Sequence, residues 1–151
     1  MKKLIALSAA ALLFSATIFA TDTNSVTISV RAKASFEKDF SLVSNVSWTK
    51  RNDLYFVSFD ADNRTNEAAY NEQGELVAVS KTIAKDELPE TVAQAISDKF
   101  GNYDVAKNAT QITYDNLTTY YINVANSKHL LKLKCDIGGA ITVEKRVKKE
   151  A

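Results

Sequence analysis

Apolar residues recur at every second position through Tyr55, Val57 and Phe59, the period of a strand with one buried face. Tyr120, Ile122 and Val124 repeat that pattern 65 residues later. In the first copy Ala68 and Tyr70 lead into Asn71-Glu72-Gln73-Gly74, with Leu76 and Ala78 beyond it. In the second, Leu133 and Cys135 lead into Asp136-Ile137-Gly138-Gly139, followed by Ile141 and Val143. Asn or Asp followed three residues on by Gly suits a type I turn closed by a glycine bulge, because glycine takes the left-handed conformation at little cost. Both copies therefore predict β-hairpins.

Before each copy the period changes to that of a helix. From Ala32, residues Phe36, Phe40 and Val43 form one stripe, with Glu37, Lys38 and Asp39 on the other side. Leu88-Pro89 opens the second helix, whose stripe is Val92, Ala93, Ile96 and Phe100, and Gly101 stands where a left-handed C-terminal cap is wanted. Val46 and Trp48 begin an alternation that turns at Asn52-Asp53, which would put Trp48 on the same side as Val57. Val26, Ile28 and Val30 predict a short first strand, with an ordered leader as the alternative. Residues 60–66 are polar and read as a loop, and residues 81–87 read as the connection between the halves. The second copy carries about five extra residues between helix and strand, expected in the loop near Asn116.

A helix with one apolar stripe can bury it only against one sheet face, and neither half has core enough alone. The predicted fold class is α+β: two tandem helix-plus-antiparallel-strands repeats, about 32–83 and about 88–148, in one continuous sheet with the helices on one face. Residues 21–151 then form one domain.

Residues 1–20 have a different character. Lys2 and Lys3 precede an apolar run from Leu4 to Ala20 interrupted by Ser8, Ser15 and Thr17, the order of a secretory signal peptide. A membrane anchor is the competing reading. The run is short for a bilayer and no basic stop signal follows Thr21-Asp22-Thr23-Asn24, which favours cleavage and a periplasmic or secreted product not held at the membrane. Cleavage leaves 17 basic against 18 acidic side chains, which gives no electrostatic case for nucleic acid. Cys135 is the single cysteine, so no internal disulfide can form. Two positions after Leu133, it is expected as a buried core thiol.

An aromatic helix ending in Phe40 is followed by Asn45-Val46-Ser47-Trp48, Tyr55-x-Val57-x-Phe59, Ala69-Tyr70-Asn71-x-x-Gly74 and Glu87-Leu88-Pro89 opening a second helix. This order resembles the exported PepSY-like proteins, a family similar to β-lactamase inhibitory protein. The resemblance covers about residues 32–146 and rests on turn residues and core aromatics, which are specific for fold. It implies a small non-enzymatic periplasmic or secreted protein that holds a partner against the open face of its sheet.

Catalytic and metal chemistry find no constellation here. His129 is the only histidine and stands between Lys128 and Leu130 without a second imidazole or a nearby thiol to share a metal. No serine sits in an elbow motif, and Asp60, Asp62 and Glu67 lack the glycine and closing glutamate of a calcium loop. The expectation is therefore no enzyme, no cofactor and no metal.

Two function classes remain. One is a binding module for an exported hydrolase or envelope protein, or for a small ligand; the other is a structural component of the cell envelope without a discrete active surface. For the binding module, the assigned outward face carries Phe56, Val77 and Val79 in the first copy and Tyr121, Lys132 and Lys134 in the second. These six are the candidate contact residues. The other reading is that Val26, Ile28 and Val30 fold over Phe56, Val77 and Val79 and make them core. Intact-mass measurement of the exported product is expected to show loss of residues 1–20; a product that keeps Met1 refutes the export signal.

Overall fold

The computed structural model describes residues 27–149. In chain order the elements are helix α1 (Val30–Asp39), strands β1 (Ser44–Arg51), β2 (Leu54–Ala61), β3 (Arg64–Tyr70) and β4 (Leu76–Ala84), and a 3-10 turn at Lys85–Glu87. Helix α2 (Glu90–Phe100) follows, then β5 (Asp104–Tyr114), β6 (Leu117–Ala125), β7 (His129–Asp136) and β8 (Ile141–Lys148). The eight strands form one antiparallel sheet in sequential order, β1 through β8. This is an α+β architecture with a single sheet. None of the described helices is long and apolar enough to cross a membrane.

The alternation in β2 decides which face is covered. Tyr55, Val57 and Phe59 point to α1 and, with Ala68 and Tyr70 of β3, bury Ala32 and Phe36 of the helix. Phe36 sits at the centre of an aromatic cluster, 5.2 Å from Phe59, 5.4 Å from Trp48 and 6.5 Å from Tyr70 between ring centroids. All three contacts are edge-on, the orientation that the ring quadrupole favours. Trp48 pairs with Val57 across the two-residue turn at Asn52-Asp53, as the alternation predicted. Under α2, Val92 and Ile96 pack with Ile122, Val124, Leu131, Leu133 and Cys135. Val79 belongs with the α1 cluster and Ile83 with the α2 cluster. Four residues apart on one strand, they share a face, so both helices lie on the same side of the sheet.

The two glycine turns have matching geometry. Gly74 and Gly139 have φ of 82° and 84°, and each donates its N–H to the carbonyl three residues back, on Asn71 and Asp136. Each turn lies against a helix start. Ser29, which caps α1 by accepting the Ala32 N–H, donates its hydroxyl to the Glu72 carbonyl at 3.0 Å. The Thr91 hydroxyl donates to the Ile137 carbonyl at 2.8 Å. A Cβ on Gly74 would come within 2.8 Å of the Arg31 carbonyl oxygen, and one on Gly139 within 2.9 Å of the Thr91 carbonyl oxygen. Left-handed backbone and close approach both require glycine at these two positions.

Several sequence expectations are corrected. Val30 is the first residue of α1 and 83% exposed, and residues 27–29 form no strand. The Ser29 cap prevails over a five-residue alternation, and Val26 lies outside the described residues. The first helix ends at Asp39, short of Val43, and Leu42 has φ of 61°. Residues 60–66 are no loop: β2 and β3 run to a tight turn at Asp62-Asn63, both left-handed with φ of 53° and 58°. Asn and Asp tolerate that conformation, so polarity marked a turn of two residues. Residues 81–84 belong to β4, which pairs with β5 and leaves only a short 3-10 turn before α2. The turn at Asp115-Asn116 also has two residues; the added length lies near it as expected but is strand, since β5 and β6 run on past the Ile112–Thr119 pair through Thr113–Thr118 and Tyr114–Leu117, where the first hairpin closes directly after Arg51–Leu54. Gly101 does cap α2, which ends at Phe100, but with a right-handed backbone, φ of −59°, instead of a left-handed one.

Cys135 is fully buried and reduced, and burial pushes its thiol up to about 11. Truncating Phe59, which is 4.7 Å from Phe40 as well as beside Phe36, removes the floor under α1. Phe59→Ala is expected to cost about 3–5 kcal/mol in a denaturant melt; a midpoint equal to the parent's would refute this placement.

Candidate functional site

Because the helices cover one face, the other is the face where a partner can reach the sheet. The strand register places its residues in rows. Thr49, Phe56, Ala69, Ala78, Tyr114 and Leu117 lie opposite one another from β1 to β6. Phe56, Ala69 and Ala78 are buried together, with Leu54 and Val77 packed beside them. Phe56 is only 2% exposed, and the Arg51 guanidinium stands 4.7 Å from its ring centroid. The far end of the row is open: Tyr114 is 38% and Leu117 54% exposed. A hollow of about 500 Å³ borders the paired ends of β4 and β5, lined by Val77, Ala78, Tyr114 and Asn116 among others.

The next row runs Ser58, Glu67, Ser80, Ile112 and Thr119. Glu67 has a buried Oε1 with no hydrogen-bond partner among the described residues. Burial raises its carboxyl above the usual range, and the nearby Arg51 charge partly opposes that shift. A third row runs Thr82, Thr110, Tyr121, Lys134 and Thr142. Lys132 pairs with Lys145 alongside it, and the Lys132 ammonium lies 5.1 Å from the Tyr121 ring centroid, a cation–π geometry. Burial, and then the charge of Glu144, raise the Tyr121 phenol. The face thus grades from an apolar patch over β2–β4, through hydroxyls, to a basic patch over β6–β8.

The structure brings together Phe56 with Val77, and Tyr121 with Lys132 and Lys134. Val79 is not on this face. The β3–β4 pairing slips after Ala69, so that Tyr70 meets Leu76 while Ala69 meets Ala78, and Val77 is the extra residue. The bulge inverts the alternation, sending Ala78 to the open face and Val79 toward α1, the reverse of the sequence assignment. Ile28 also packs on the helix side, so it does not cover Phe56. Tyr114, Leu117, Arg51 and Glu67 were missed as face residues. The polar Asp115-Asn116 pair, flanked by Tyr114 and Leu117, was the available signal for the first two.

Among the described residues no group of three or more His, Cys, Asp or Glu side chains could hold a metal. His129 begins β7 with its backbone N–H donated to Asn126 Oδ1 at 2.8 Å, an anchor for the β6–β7 turn.

Glu67 generates a pH test. A carboxyl raised by burial binds its proton more tightly in the folded state, so stability is lost as pH climbs from the unfolded pKa through the folded one. Glu67→Gln removes the charge that burial opposes. The variant is expected to melt above the parent at pH 7–8, with the gap closing below pH ~4 as the parent carboxyl protonates. A gap that persists unchanged at acid pH refutes the burial account.

No protein-family model matches the chain, and none of the curated proteins matches it. Solved structures do. A BLIP-like protein from Bacteroides fragilis is 19% identical with a TM-score of 0.69, over 86% of this chain and 94% of that one. A protein from Bacteroides eggerthii described as periplasmic is 15% identical with a TM-score of 0.65, over 79% and 87%. A DUF2874 family protein from Bacteroides uniformis is 16% identical with a TM-score of 0.64, over 79% and 88%. At such identities the likeness is one of fold: this chain has the BLIP-like fold, two helices against one antiparallel sheet.

Proposed function

We propose that this chain is a small exported, non-enzymatic binding protein that holds another exported protein against the open face of its sheet. The observation that carries the reading is the exposed Tyr114–Leu117 pair beside Val77 and Ala78, on the one face that no described helix covers. An exposed aromatic and a leucine beside a hollow of mixed lining, with cations toward the rim of the face, are the composition of a partner contact. Lys132 and Lys134 beside Tyr121 supply that rim. Phe56 acts from beneath, as support for Ala69 and Ala78, because it has almost no surface to offer. The BLIP-like fold supports the reading through its use in a protein class whose name denotes inhibition of another protein.

The same proposal treats residues 1–20 as a cleaved export signal and 21–151 as one domain built from two tandem units. The order of one helix and four strands, given twice, supports the tandem reading. So do the two glycine turns, each tied to a helix start by a hydroxyl.

Capture from periplasmic extract tests the function. The parent is expected to retain a stoichiometric protein. Tyr114→Asp/Leu117→Asp should weaken that retention by about tenfold or more, as loss of a central anchor does. Glu37→Ala, on the solvent side of α1, should leave it unchanged. Retention that is indifferent to the open-face pair refutes the site, and the absence of any stoichiometric partner refutes the function.

A further inference from the structure

The β4–β5 seam joins the two halves of the sheet, the last strand of one unit pairing with the first strand of the next. At the outer ends, β8 and β1 occupy those same two roles and terminate the sheet. If the units are equivalent, as the proposed reading holds, β8 of one copy could meet β1 of another as β4 meets β5. The register then specifies every opposing pair.

Glu67 faces Ser80 as Lys132 faces Lys145, which makes Ser80 and Lys145 equivalent and Lys81 and Arg146 after them. Thr119 faces Ile112 and Tyr120 faces Gln111, as Leu54 faces Arg51 and Tyr55 faces Lys50. Within the chain the seam sets Ser80 opposite Ile112 and Lys81 opposite Gln111. Between copies the same geometry would set Lys145 opposite Arg51 and Arg146 opposite Lys50. Those are two consecutive like-charge pairs, with Cβ atoms about 4.5–5.5 Å apart, an arrangement that destabilises strand pairing.

Of the four cations Arg51 has an acidic neighbour across the sheet, the Glu67 carboxyl, and the two edge strands themselves add little. β1 contains no acidic residue, and the one acid of β8, Glu144, is the extra residue where the β7–β8 register shifts between Lys132 and Leu133. The surrounding segment is cationic as well, with seven Lys and Arg against two acidic residues over 128–149. On β1 the two cations lie over rings of their own unit, Lys50 at 5.0 Å from the Tyr55 centroid and Arg51 over Phe56. The seam itself opposes no two like charges.

We propose that β8 and β1 form a latent head-to-tail interface between copies of this chain, and that Lys145, Arg146, Lys50 and Arg51 hold it apart. Without them, a sheet built by adding units edge to edge would have no reason to stop at two. Such a contact does not close on itself and grows into filaments.

Sedimentation of the exported chain tests this. The parent is expected to run as a single chain. Lys145→Glu/Arg146→Glu makes β8 acidic against a basic β1, and should raise the sedimenting mass about twofold or more, increasing with protein concentration and falling in high salt. Adding Lys50→Glu/Arg51→Glu to the same chain restores like charges across the edges and should return it to a single chain. Melts of each variant confirm that the unit remains folded. A K145E/R146E chain that is folded yet never associates overturns the charge block. Association that survives in the four-substitution chain overturns the equivalence of the edges, as does a parent that associates through them. The capture experiment reads the open face and not the edges, so either proposal can fail while the other stands.

Discussion

Everything else in the molecule depends on two helices burying their single apolar stripes on the same side of one sheet. Phe36 is the centre of that arrangement in the first half, packed among Phe59, Trp48, Tyr70 and Phe40. Val92 and Ile96 do the same in the second half with smaller aliphatic partners. Burial of this kind is non-directional, so it does not by itself say where along the sheet a helix begins. Directional contacts supply that: Ser29 to Glu72 and Thr91 to Ile137 tie each helix start to the glycine turn beneath it. The missing Cβ at Gly74 and Gly139 lets helix and turn approach that closely.

The seam between β4 and β5 joins two small cores through one continuous sheet. Val79 packs toward α1 and Ile83 toward α2 from the same strand, so neither cluster can open without disturbing the strand that serves both. A half of this length would bury too little apolar surface to be stable alone. With no disulfide available, continuity of the sheet takes the place of a covalent brace. Cys135 contributes as a small apolar side chain, its raised pKa reflecting the dryness of its site.

The helices cover one side of the sheet and leave the other open. That face is uneven here: Phe56, Ala69 and Ala78 close on one another, Tyr114 and Leu117 stay open, and Tyr121 sits beside Lys132 and Lys134 of the next strand. The carboxyl oxygen of Glu67, with no hydrogen-bond partner among the described residues, lies between the apolar and hydroxyl regions, a polar group held at a cost in stability on the open face. The cations that crowd β7 and β8 fall on both the face and the edge, Lys132 and Lys134 opposite Asn123 and Tyr121 of β6, Lys145 and Arg146 on the last strand.

The sequence by itself determined the elements whose signals are local and strong. Alternation through Tyr55–Phe59 and Tyr120–Val124, the helical stripe at Phe36, Pro89 before α2, and the Asn71–Gly74 and Asp136–Gly139 turns were all legible. Each depends on residues within a few positions of one another. Tertiary structure alone decided the rest. The bulge at Val77 turns Ala78 outward and Val79 inward, because β4 must satisfy β3 on one side and β5 on the other, a demand that no local pattern records. The strand over residues 81–84 exists because β5 is there to pair with it, and the polar stretch at 60–66 is strand to within two residues because β3 returns along β2. Tyr114 and Leu117 became candidates on the open face only once the register had set them beside Ala78, since side-chain alternation gives a residue's face within its strand but not its neighbours across the sheet.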